Sequence, residues 1–257
     1  MATPDHIVAD VLQDITPYAS GCDCIVHLAG LADASSSFER PIEFARVNVV
    51  GTMNALEAAR RNDATFVLAS SQRVYRPAAR PLSEDAPLGP VDPYGLSKLQ
   101  AEQWSEMYAN LYGVPVTILR LFSVYGPGQT AGKASGVVSI LLRNAREGQP
   151  LRVRARQVRD FVDVRDVVRA IEMAITRRPA RTVVYNVGTG HPTSIAELGE
   201  AVRSTVGITA PVIVDLSPGA ESYVADVRRA ATELEFRASV ELQDGLTWYN
   251  QHFDDQP

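Results

Sequence analysis

The sequence predicts an α/β fold built on a parallel sheet that helices cover on both faces. Short apolar runs rich in β-branched residues alternate with longer stretches in which apolar residues recur at helical spacing. The strand-like runs are apolar almost throughout, as in strands buried on both faces. Three of them, in 22–30, 65–71 and 114–122, end in glycine, serine or a glycine-containing loop. Because ligands of such sheets bind beyond the carboxyl ends of the strands, the sequence predicts a functional site at these three ends.

The elements of the first half follow one another as strand, helix and strand. Helix 36–60 is predicted because Phe44, Val47 and Val50 begin a run of apolar residues at helical spacing, and Gly113 marks the end of a later helix. The predicted elements are a strand at 6–11, a short helix near 12–19, a strand within 22–30, a helix over 36–60, a strand at 65–71, a helix over 94–112 and a strand at 114–122.

The second half has a more mixed pattern. Its predicted elements are helices near 137–147, 163–177, 193–206, 226–234 and 240–252, and strands within 151–162, 182–187 and 211–214. We therefore expect residues 1–127 to form the core of the sheet. Residues 128–257 are expected to be mainly a substrate-binding region that partly completes this core.

The composition excludes several classes of protein. The 257 residues are 46% hydrophobic and carry a net charge of −5 without a basic block, which makes nucleic acid and a membrane surface poor partners. Cys22 and Cys24 stand alone and the four histidines are scattered, so we expect no metal site. No targeting signal or apolar stretch of membrane-spanning length is recognisable. These features predict a cytoplasmic protein.

The segment VDPYGLSK (91–98) carries the chemistry. Tyr94 and Lys98 lie four apart at the start of a predicted helix, and Ser71 ends the preceding strand. A lysine beside a phenol is expected to lower the tyrosine pKa, which would let Tyr94 take a proton from an alcohol while a hydride leaves its carbon. The alternative is a solvated helical lysine and a buried serine without a chemical role.

Eight segments in order then show a resemblance to a known family. They are HLAG, RVNVVGT, LASSQRVY, DPYGLSK, RLFSVYGPGQ, RDFVDVRDVVRA, YNVGTG and SPGAESYVADVRRA. Together they resemble the extended short-chain dehydrogenases/reductases of the NAD-dependent epimerase/dehydratase family, and most of all the UDP-glucose 4-epimerase type. The resemblance implies a Rossmann-type parallel sheet, here shortened at its N-terminus, with a small mixed C-terminal substrate region.

The resemblance also implies roles for individual residues. Tyr94 would be the acid/base, Lys98 would tune it and hold the nicotinamide ribose, and Ser71 would orient the reacting oxygen. The cofactor would further contact Asp10, at the adenine, and the strand end Leu28, Ala29 and Gly30. Ser123, where the family usually has asparagine, and Arg159, which matches a diphosphate-contacting arginine, would bind the substrate. Asn48 and Gly51 would serve packing.

Several departures from the family pattern bear on this assignment. The G-x-x-G-x-x-G loop that cradles the cofactor pyrophosphate is not in the sequence, and neither are the strands that flank it. Either the sequence is a shortened product or the protein has given up tight dinucleotide binding. In both cases strand 6–11 would lack its usual neighbour or would be forced against 22–30.

Other departures concern the substrate. The segment Ser217–Ala220 replaces R-P-G-D, which contains a phosphate-binding arginine, and Ala155 and Arg156 shorten a glycine-rich hairpin. Arg152, Arg154 and Arg156 would share one strand face, either as a replacement for the lost arginine or as a solvated face.

We therefore expect an enzyme that uses NAD or NADP and acts on a nucleotide sugar. Dehydratases of the family usually have an Asp-Glu pair after the catalytic serine or threonine, whereas Gln72 and Arg73 follow Ser71. This favours an epimerase or a related keto-reductase over a dehydratase. The alternative is a truncated or degenerate member without redox activity that binds a nucleotide or a protein, with cofactor binding weak or lost. The resemblance also implies a homodimer formed through helices at about 40–60 and 94–112.

Overall fold

The computed structural model describes residues 7–129, 136–154, 157–216 and 222–253. The α-helices are α1 (Ala34–Ser37), α2 (Pro41–Ala45), α3 (Gly51–Arg61), α4 (Pro93–Tyr112), α5 (Val137–Arg146), α6 (Val164–Ile175), α7 (Ile195–Val206), α8 (Arg228–Glu233) and α9 (Leu242–Gln251). The strands are β1 (Cys24–His27), β2 (Thr65–Ser71), β3 (Val116–Leu121), β4 (Ser123–Tyr125), β5 (Leu151–Arg154), β6 (Val158–Arg159), β7 (Phe161–Asp163), β8 (Val183–Val187), β9 (Thr193–Ser194) and β10 (Val212–Asp215).

The main sheet has four strands in the order β1-β2-β3-β8. Strands β1 and β2 run parallel, with Cys24 opposite Thr65 and His27 opposite Leu68. Because the two strands run in the same direction, their carboxyl ends lie at one edge of the sheet. The predicted strand at 65–71 is confirmed with the same bounds, and six of its seven residues are buried.

The predicted strand at 6–11 is wrong for residues 7–11, and residue 6 lies outside the described chain. Ile7 and Val8 are 56% and 102% exposed, and Asp10 begins a turn. A strand needs a neighbour for its backbone hydrogen bonds, and β1 lies at the edge of the sheet with β2 as its partner in the described residues. The segment contacts α3 instead, where Asn54 Nδ2 donates to the Val11 carbonyl at 2.9 Å.

The single helix predicted over 36–60 is divided. Helix α1 ends at Ser37, α2 begins with Pro41 at its first turn, and a π-helical segment over Arg46–Val50 precedes α3. Proline suits a first helical turn because it has no amide hydrogen to place there. The π-helical segment turns Asn48 into the protein, where it is buried.

The chain forms two compact units. The first comprises the described residues up to Val74 together with Pro90–Leu119 and Ala174–Val184. Its apolar core joins α3 and α4 to the first two strands, and it includes Leu56, Phe66 and Leu68. Ser71, Tyr94 and Lys98 all lie in this unit.

The second unit comprises Tyr75–Gly89, Arg120–Met173 and the described residues from Tyr185 onward. Its core packs α5, α7 and α9 around β5, with Leu141, Leu198 and Tyr249 fully buried. The strand region predicted within 151–162 is three strands, in the pairs β5–β10, β6–β9 and β4–β7. Arg152 and Arg154 lie exposed on β5, as their spacing predicts, whereas Arg156 is outside the described residues.

In the described part of the chain, no helix is both long and apolar enough to cross a bilayer. The same residues contain no group of three or more histidine, cysteine or acidic side chains able to hold a metal ion.

Candidate active site

Helix α4 presents Tyr94 and Lys98 in its first two turns. Asp92 caps the helix, because its Oδ1 accepts a hydrogen bond from the Gly95 amide at 2.7 Å, and Pro93 occupies the first helical position. Tyr94 and Lys98 are 8% and 7% exposed. The Asp-Pro start of the helix therefore fixes the place along the chain at which the tyrosine enters the protein.

Gly95 lets this first turn approach the end of β2. A Cβ at this position would collide with the Arg73 carbonyl oxygen. Arg73 belongs to the 3₁₀ turn Gln72–Val74 that directly follows Ser71. The close approach brings Tyr94 to Ser71, and the two side chains are hydrogen-bonded. This contact agrees with the prediction that the end of β2 and the start of α4 converge.

The electrostatics of Tyr94 differ from the sequence-based expectation. Burial raises the pKa of the Tyr94 phenol, with Asp92 adding to the increase, while the Ser71 hydrogen bond and the charge of Arg73 oppose it. The expected net lowering of this pKa by Lys98 is therefore wrong. Lys98 Nζ donates to the Ala69 carbonyl at 2.9 Å, and Lys98 is not among the groups that shift the pKa of Tyr94.

Lys98 and His27 are buried close to the end of β1. Burial lowers the pKa of Lys98 to about 8, an effect that Glu102 opposes. Burial, reinforced by the charge of Lys98, lowers the pKa of His27 to about 4. A Cβ on Gly30 would lie 3.5 Å from Lys98 Nζ. The lysine thus reaches the backbone that follows β1 as well as the end of β2.

Asn48 joins the same backbone to helix α4. Its Oδ1 accepts from the Leu31 amide at 2.8 Å, and its Nδ2 donates to the Leu31 carbonyl at 3.0 Å and to Ser97 Oγ at 2.8 Å. Ser97 lies between Tyr94 and Lys98 and donates to the Tyr94 carbonyl. Sequence reasoning assigned Asn48 to packing, but it is a polar connection between the end of β1 and the helix that carries the candidate acid/base.

The strand end Leu28–Gly30 has a surface suited to a cofactor. All three residues are exposed, and Leu28 offers a large apolar side chain that is 59% exposed. The Gly30 backbone lies within reach of Lys98, and a Cβ there would lie only 2.9 Å from Asn48 Oδ1, so glycine allows this close approach. Ser71, Tyr94, Lys98 and this strand end fit the nicotinamide-ribose half of NAD, because they supply donors and an acid/base beside an open apolar surface.

Fewer observations support a binding site for the adenosine half of NAD. Asp10, the predicted adenine contact, lies in an exposed turn, and its carboxylate accepts from the Leu12 amide at 2.9 Å. No hydrogen bond described for Asp10 links it to Tyr94 or Lys98. The glycine fingerprint for the pyrophosphate is not in the sequence.

The second unit carries the two predicted substrate residues. Ser123 begins β4, is half-buried, and donates its amide hydrogen to the Asp160 carbonyl at 2.9 Å. Arg159 is buried on β6 with its guanidinium 4.9 Å from the centre of the Tyr223 ring. The segment 217–220, which replaces the family's phosphate-binding motif, lies outside the described residues, as do Ala155 and Arg156.

Asp160 fixes the backbone around these two residues. Its fully buried carboxylate accepts hydrogen bonds from the amides of Thr189, Gly190 and Ala225 at 2.8, 2.9 and 3.1 Å, and burial raises its pKa. Asp160 therefore ties the RDF segment to the GTG segment. Both segments are among the motifs that carry the family resemblance, but the sequence did not predict that they contact each other.

An open parallel sheet with serine, tyrosine and lysine gathered at its carboxyl edge defines a nucleotide-dependent oxidoreductase-type protein. The model of the NAD dependent epimerase/dehydratase family matches residues 8–188, and the chain belongs to this family. The family and fold predicted from the eight motifs are thereby confirmed.

Individual relatives agree with this assignment. The UDP-glucose 4-epimerase of Mycolicibacterium smegmatis is 34% identical over 237 residues, which cover 87% of this chain and 74% of the relative. The solved structure of MoeE5 in complex with UDP-glucose and NAD is 31% identical, with a TM-score of 0.89 over 97% of this chain and 85% of that one. The UDP-glucose 4-epimerase of Thermotoga maritima, solved with UDP-glucose, is 25% identical, with a TM-score of 0.89 over 96% of this chain and 83% of that one.

Proposed function

We propose that this chain is an NAD-dependent sugar-nucleotide epimerase that acts by transient oxidation of a substrate hydroxyl. The observation that carries the proposal is the convergence of Ser71, Tyr94 and Lys98 beside the exposed strand end Leu28–Gly30. The relatives' printed functions and ligands support the same choice of substrate and cofactor.

Tyr94 is the proposed acid/base. As the phenolate, it takes the proton of the substrate alcohol during oxidation, and as the phenol it returns this proton to the ketone oxygen during reduction. Because burial raises its pKa, Tyr94 carries its proton at neutral pH in the chain by itself, which is the form that donates to a ketone. Bound NAD would supply the chemistry of accepting and returning the hydride. Ser71, hydrogen-bonded to the phenol, orients the reacting oxygen.

Lys98 and the strand end are proposed to hold the cofactor. Lys98 is tied to the Ala69 carbonyl and reaches the Gly30 backbone, which places its ammonium where a ribose hydroxyl would be held. We propose NAD rather than NADP because relatives are solved with NAD. Asp10 stays the proposed adenine contact.

Epimerisation is preferred over dehydration. A dehydratase needs an additional acid and base next to the catalytic hydroxyl, and this chain has Gln72 and Arg73 there. Arg73 Nη1 lies 3.1 Å from Asp92 Oδ2, so this side of Tyr94 is occupied by an ion pair. In the second unit, Ser123 and Arg159 are the proposed contacts of the nucleotide sugar.

The test is turnover of UDP-glucose in the presence of NAD, with UDP-galactose as the product measured. Removing the Tyr94 hydroxyl by Tyr94→Phe is expected to reduce the rate by about 10²–10⁴-fold, the usual contribution of a positioned acid/base. Tyr112→Phe is the matched control, since Tyr112 lies on the same helix with 55% of its surface exposed, and its rate is expected to be unchanged. Equal rates for Tyr94→Phe and the unmodified chain would refute the proposal, and a folded chain that binds NAD without turnover would favour a binding protein.

We further propose that the protein is a homodimer formed through the outer faces of α2, α3 and α4. Large apolar side chains are exposed on or beside these helices at Ile42, Val50, Leu96, Met107 and Leu111. Sedimentation at micromolar concentration is expected to give a dimer, and a monomer would contradict this proposal.

A further inference from the structure

A groove lies in the first compact unit beside helix α2. Its volume is about 590 Å³, which is within the range of small-molecule sites. It is lined by Leu12, which precedes β1 in the chain, and by residues of the segment 39–47, which contains α2. Its apolar lining includes Leu12, Pro41 and Val47. The groove is therefore large enough, and apolar enough at these three residues, to take part of a dinucleotide.

One side of the groove continues from the strand end that is proposed to hold the nicotinamide half of NAD. Val47 lines the groove and directly precedes Asn48. Asn48 Oδ1 accepts from the Leu31 amide at 2.8 Å, and a Cβ on Gly30 would lie 2.9 Å from the same oxygen. A ligand held at Gly30 can therefore extend along this segment toward the groove.

The other side of the groove is held against the start of α3. A Cβ on Gly51 would lie 2.9 Å from Val11 Cγ1, and Asn54 Nδ2 donates to the Val11 carbonyl at 2.9 Å. Leu12 follows Val11, and its amide donates to the carboxylate of Asp10 at 2.9 Å. Asp10, the proposed adenine contact, is thus attached to a residue that lines the groove.

The charged side chains of the groove are of two kinds. Arg40 and Glu43 form an ion pair with each other at 3.1 Å. Arg46 and Glu39 are both exposed, and neither has an ion pair or a side-chain hydrogen bond within the part of the chain that the structure describes. The groove therefore offers a guanidinium and a carboxylate to a ligand.

These two charges are arranged in a definite order. Arg46 lies two residues before Asn48 and so is nearer to the strand end, whereas Glu39 precedes α2, whose five residues rise by about 7 Å. Beyond its nicotinamide ribose, NAD carries first a pyrophosphate and then the adenosine ribose. Guanidinium groups bind phosphate oxygens in pairs, and a carboxylate accepts hydrogen bonds from ribose hydroxyls. The order of the two side chains along the groove therefore matches the order of these ligand groups.

We propose that this groove binds the ADP half of NAD, with Arg46 contacting the pyrophosphate and Glu39 accepting hydrogen bonds from the adenosine ribose. Arg46 would serve in place of a glycine-rich loop, which this sequence lacks. Leu12 and Val47 would pack against the adenine. Glu39 would also favour NAD over NADP, because a carboxylate repels a 2′-phosphate. The inference rests on the proposed use of NAD.

The test is a calorimetric titration of the chain with ADP, which lacks the nicotinamide half. Saturable binding at one site is expected, and Arg46→Met should weaken it about tenfold or more, because a charge-assisted hydrogen bond to phosphate is lost. Arg46→Lys keeps the charge but not the paired contact and should lose only about threefold. Arg178→Met is the matched control, since Arg178 is exposed in the same unit and bound to Asp63, and its affinity for ADP should be unchanged.

Three results of this titration would overturn the proposal. They are no binding of ADP by the unmodified chain, an unchanged affinity in Arg46→Met, and equal losses in Arg46→Met and Arg46→Lys, which would indicate a structural role. Thermal unfolding without ligand shows whether each variant is folded. If Arg46→Met is not, an ADP affinity in Arg46→Lys equal to that of the unmodified chain rejects the role of Arg46.

Glu39 is tested with 2′-deoxy-ADP. The unmodified chain should bind ADP about threefold or more tightly than 2′-deoxy-ADP, because the ribose hydroxyl is bonded to a carboxylate. Glu39→Ala should lose this preference, and the exposed position of Glu39 makes the variant expected to fold. A preference that persists in Glu39→Ala would contradict the assignment of Glu39.

These titrations are independent of turnover. If ADP binding depends on Arg46 but UDP-glucose is not converted, the proposed function fails and this inference stands. If UDP-glucose is converted with NAD while Arg46→Met binds ADP as tightly as the unmodified chain, the inference fails and the proposed function stands.

Discussion

Burial decides the protonation of the ionisable side chains around the end of β1. His27 is 5% exposed, its ring stacks on Phe66 with 5.9 Å between ring centres, and its Nε2 has no hydrogen-bond partner in the described structure. Lys98 lies close enough to disfavour a second positive charge. His27 is therefore neutral at pH 7, while most of the lysine is protonated there and about half of it is deprotonated at pH 8.

Stability should depend on pH through His27. Its pKa is lowered from 6.5 to about 4 in the folded chain, so between these values the unfolded chain binds a proton that the folded chain does not. The contribution of neutral His27 to the free energy of unfolding is complete above pH 6.5 and is lost as the pH falls toward 4. Urea unfolding at pH 7 and pH 4.5 should show a loss about 2–3 kcal/mol larger in the unmodified chain than in His27→Asn. His191→Asn, at an exposed histidine, is the control, and equal losses in all three proteins would contradict the account.

The properties of single residues could be predicted from sequence where they depend on neighbours along the chain. They could not be predicted where they depend on the extent of burial. The Tyr94–Lys98 spacing predicted that the two side chains share one face of α4, because side chains four apart on a helix are neighbours, and both are buried. It gave the wrong direction for the tyrosine pKa, since the extent of burial and the direction of Lys98 toward Ala69 depend on packing across the sheet. Arg73 was noticed as a departure from the dehydratase pattern, but its ion pair with Asp92 spans 19 residues and has no local signal.

Helix α4 is the element that assembles the candidate site. Its cap at Asp92, its close approach at Gly95 and its connection through Ser97 to Asn48 together fix Tyr94 against Ser71. Its C-terminus is set by Gly113, which adopts φ 71° and donates to the Ala109 carbonyl. Both ends of this helix were predictable because aspartate-proline and glycine are local signals.

Gly95→Ala should destabilise the protein although alanine favours helices. The added methyl group meets the Arg73 carbonyl, which is backbone and cannot rotate away. Overpacking of this kind costs about 1–3 kcal/mol and should exceed the gain of about 1 kcal/mol in helix propensity. Activity should fall as well, because Tyr94 moves away from Ser71. Gln103→Ala, on the exposed face of the same helix, should change stability by less than about 0.5 kcal/mol in urea unfolding. A more stable Gly95→Ala would show that the close approach does not position the helix.

Other elements show why prediction from sequence stops at tertiary context. The strand 65–71 was predicted with its correct bounds because its apolar centre is buried on both faces and two serines mark its end. The segment 7–11 has the same kind of sequence but is no strand, because its backbone finds no neighbour in the described sheet. The helix over 36–60 is divided at Pro41 and at buried Asn48, and only the proline is a local signal.

At the scale of the molecule, the residues expected to bind the nicotinamide half of NAD are present, whereas the loop expected to bind its pyrophosphate is not in the sequence. The residues proposed for the nicotinamide side, Ser71, Tyr94, Lys98 and the strand end at Gly30, all lie within the first compact unit. The pyrophosphate loop is not in the sequence. The central claim is therefore that the residues present suffice to bind NAD at one site per chain.

Calorimetric titration of the 257-residue chain with NAD⁺ and NADH, accompanied by thermal unfolding, tests this claim most directly. The account predicts saturable binding at one site per chain, weakened in Lys98→Met and unchanged in the control Arg178→Met. Saturation at 100 times the dissociation constant should stabilise the folded chain by about 2.7 kcal/mol. A chain that unfolds cooperatively but releases no heat and shows no change of melting temperature with either form of the cofactor would contradict the account.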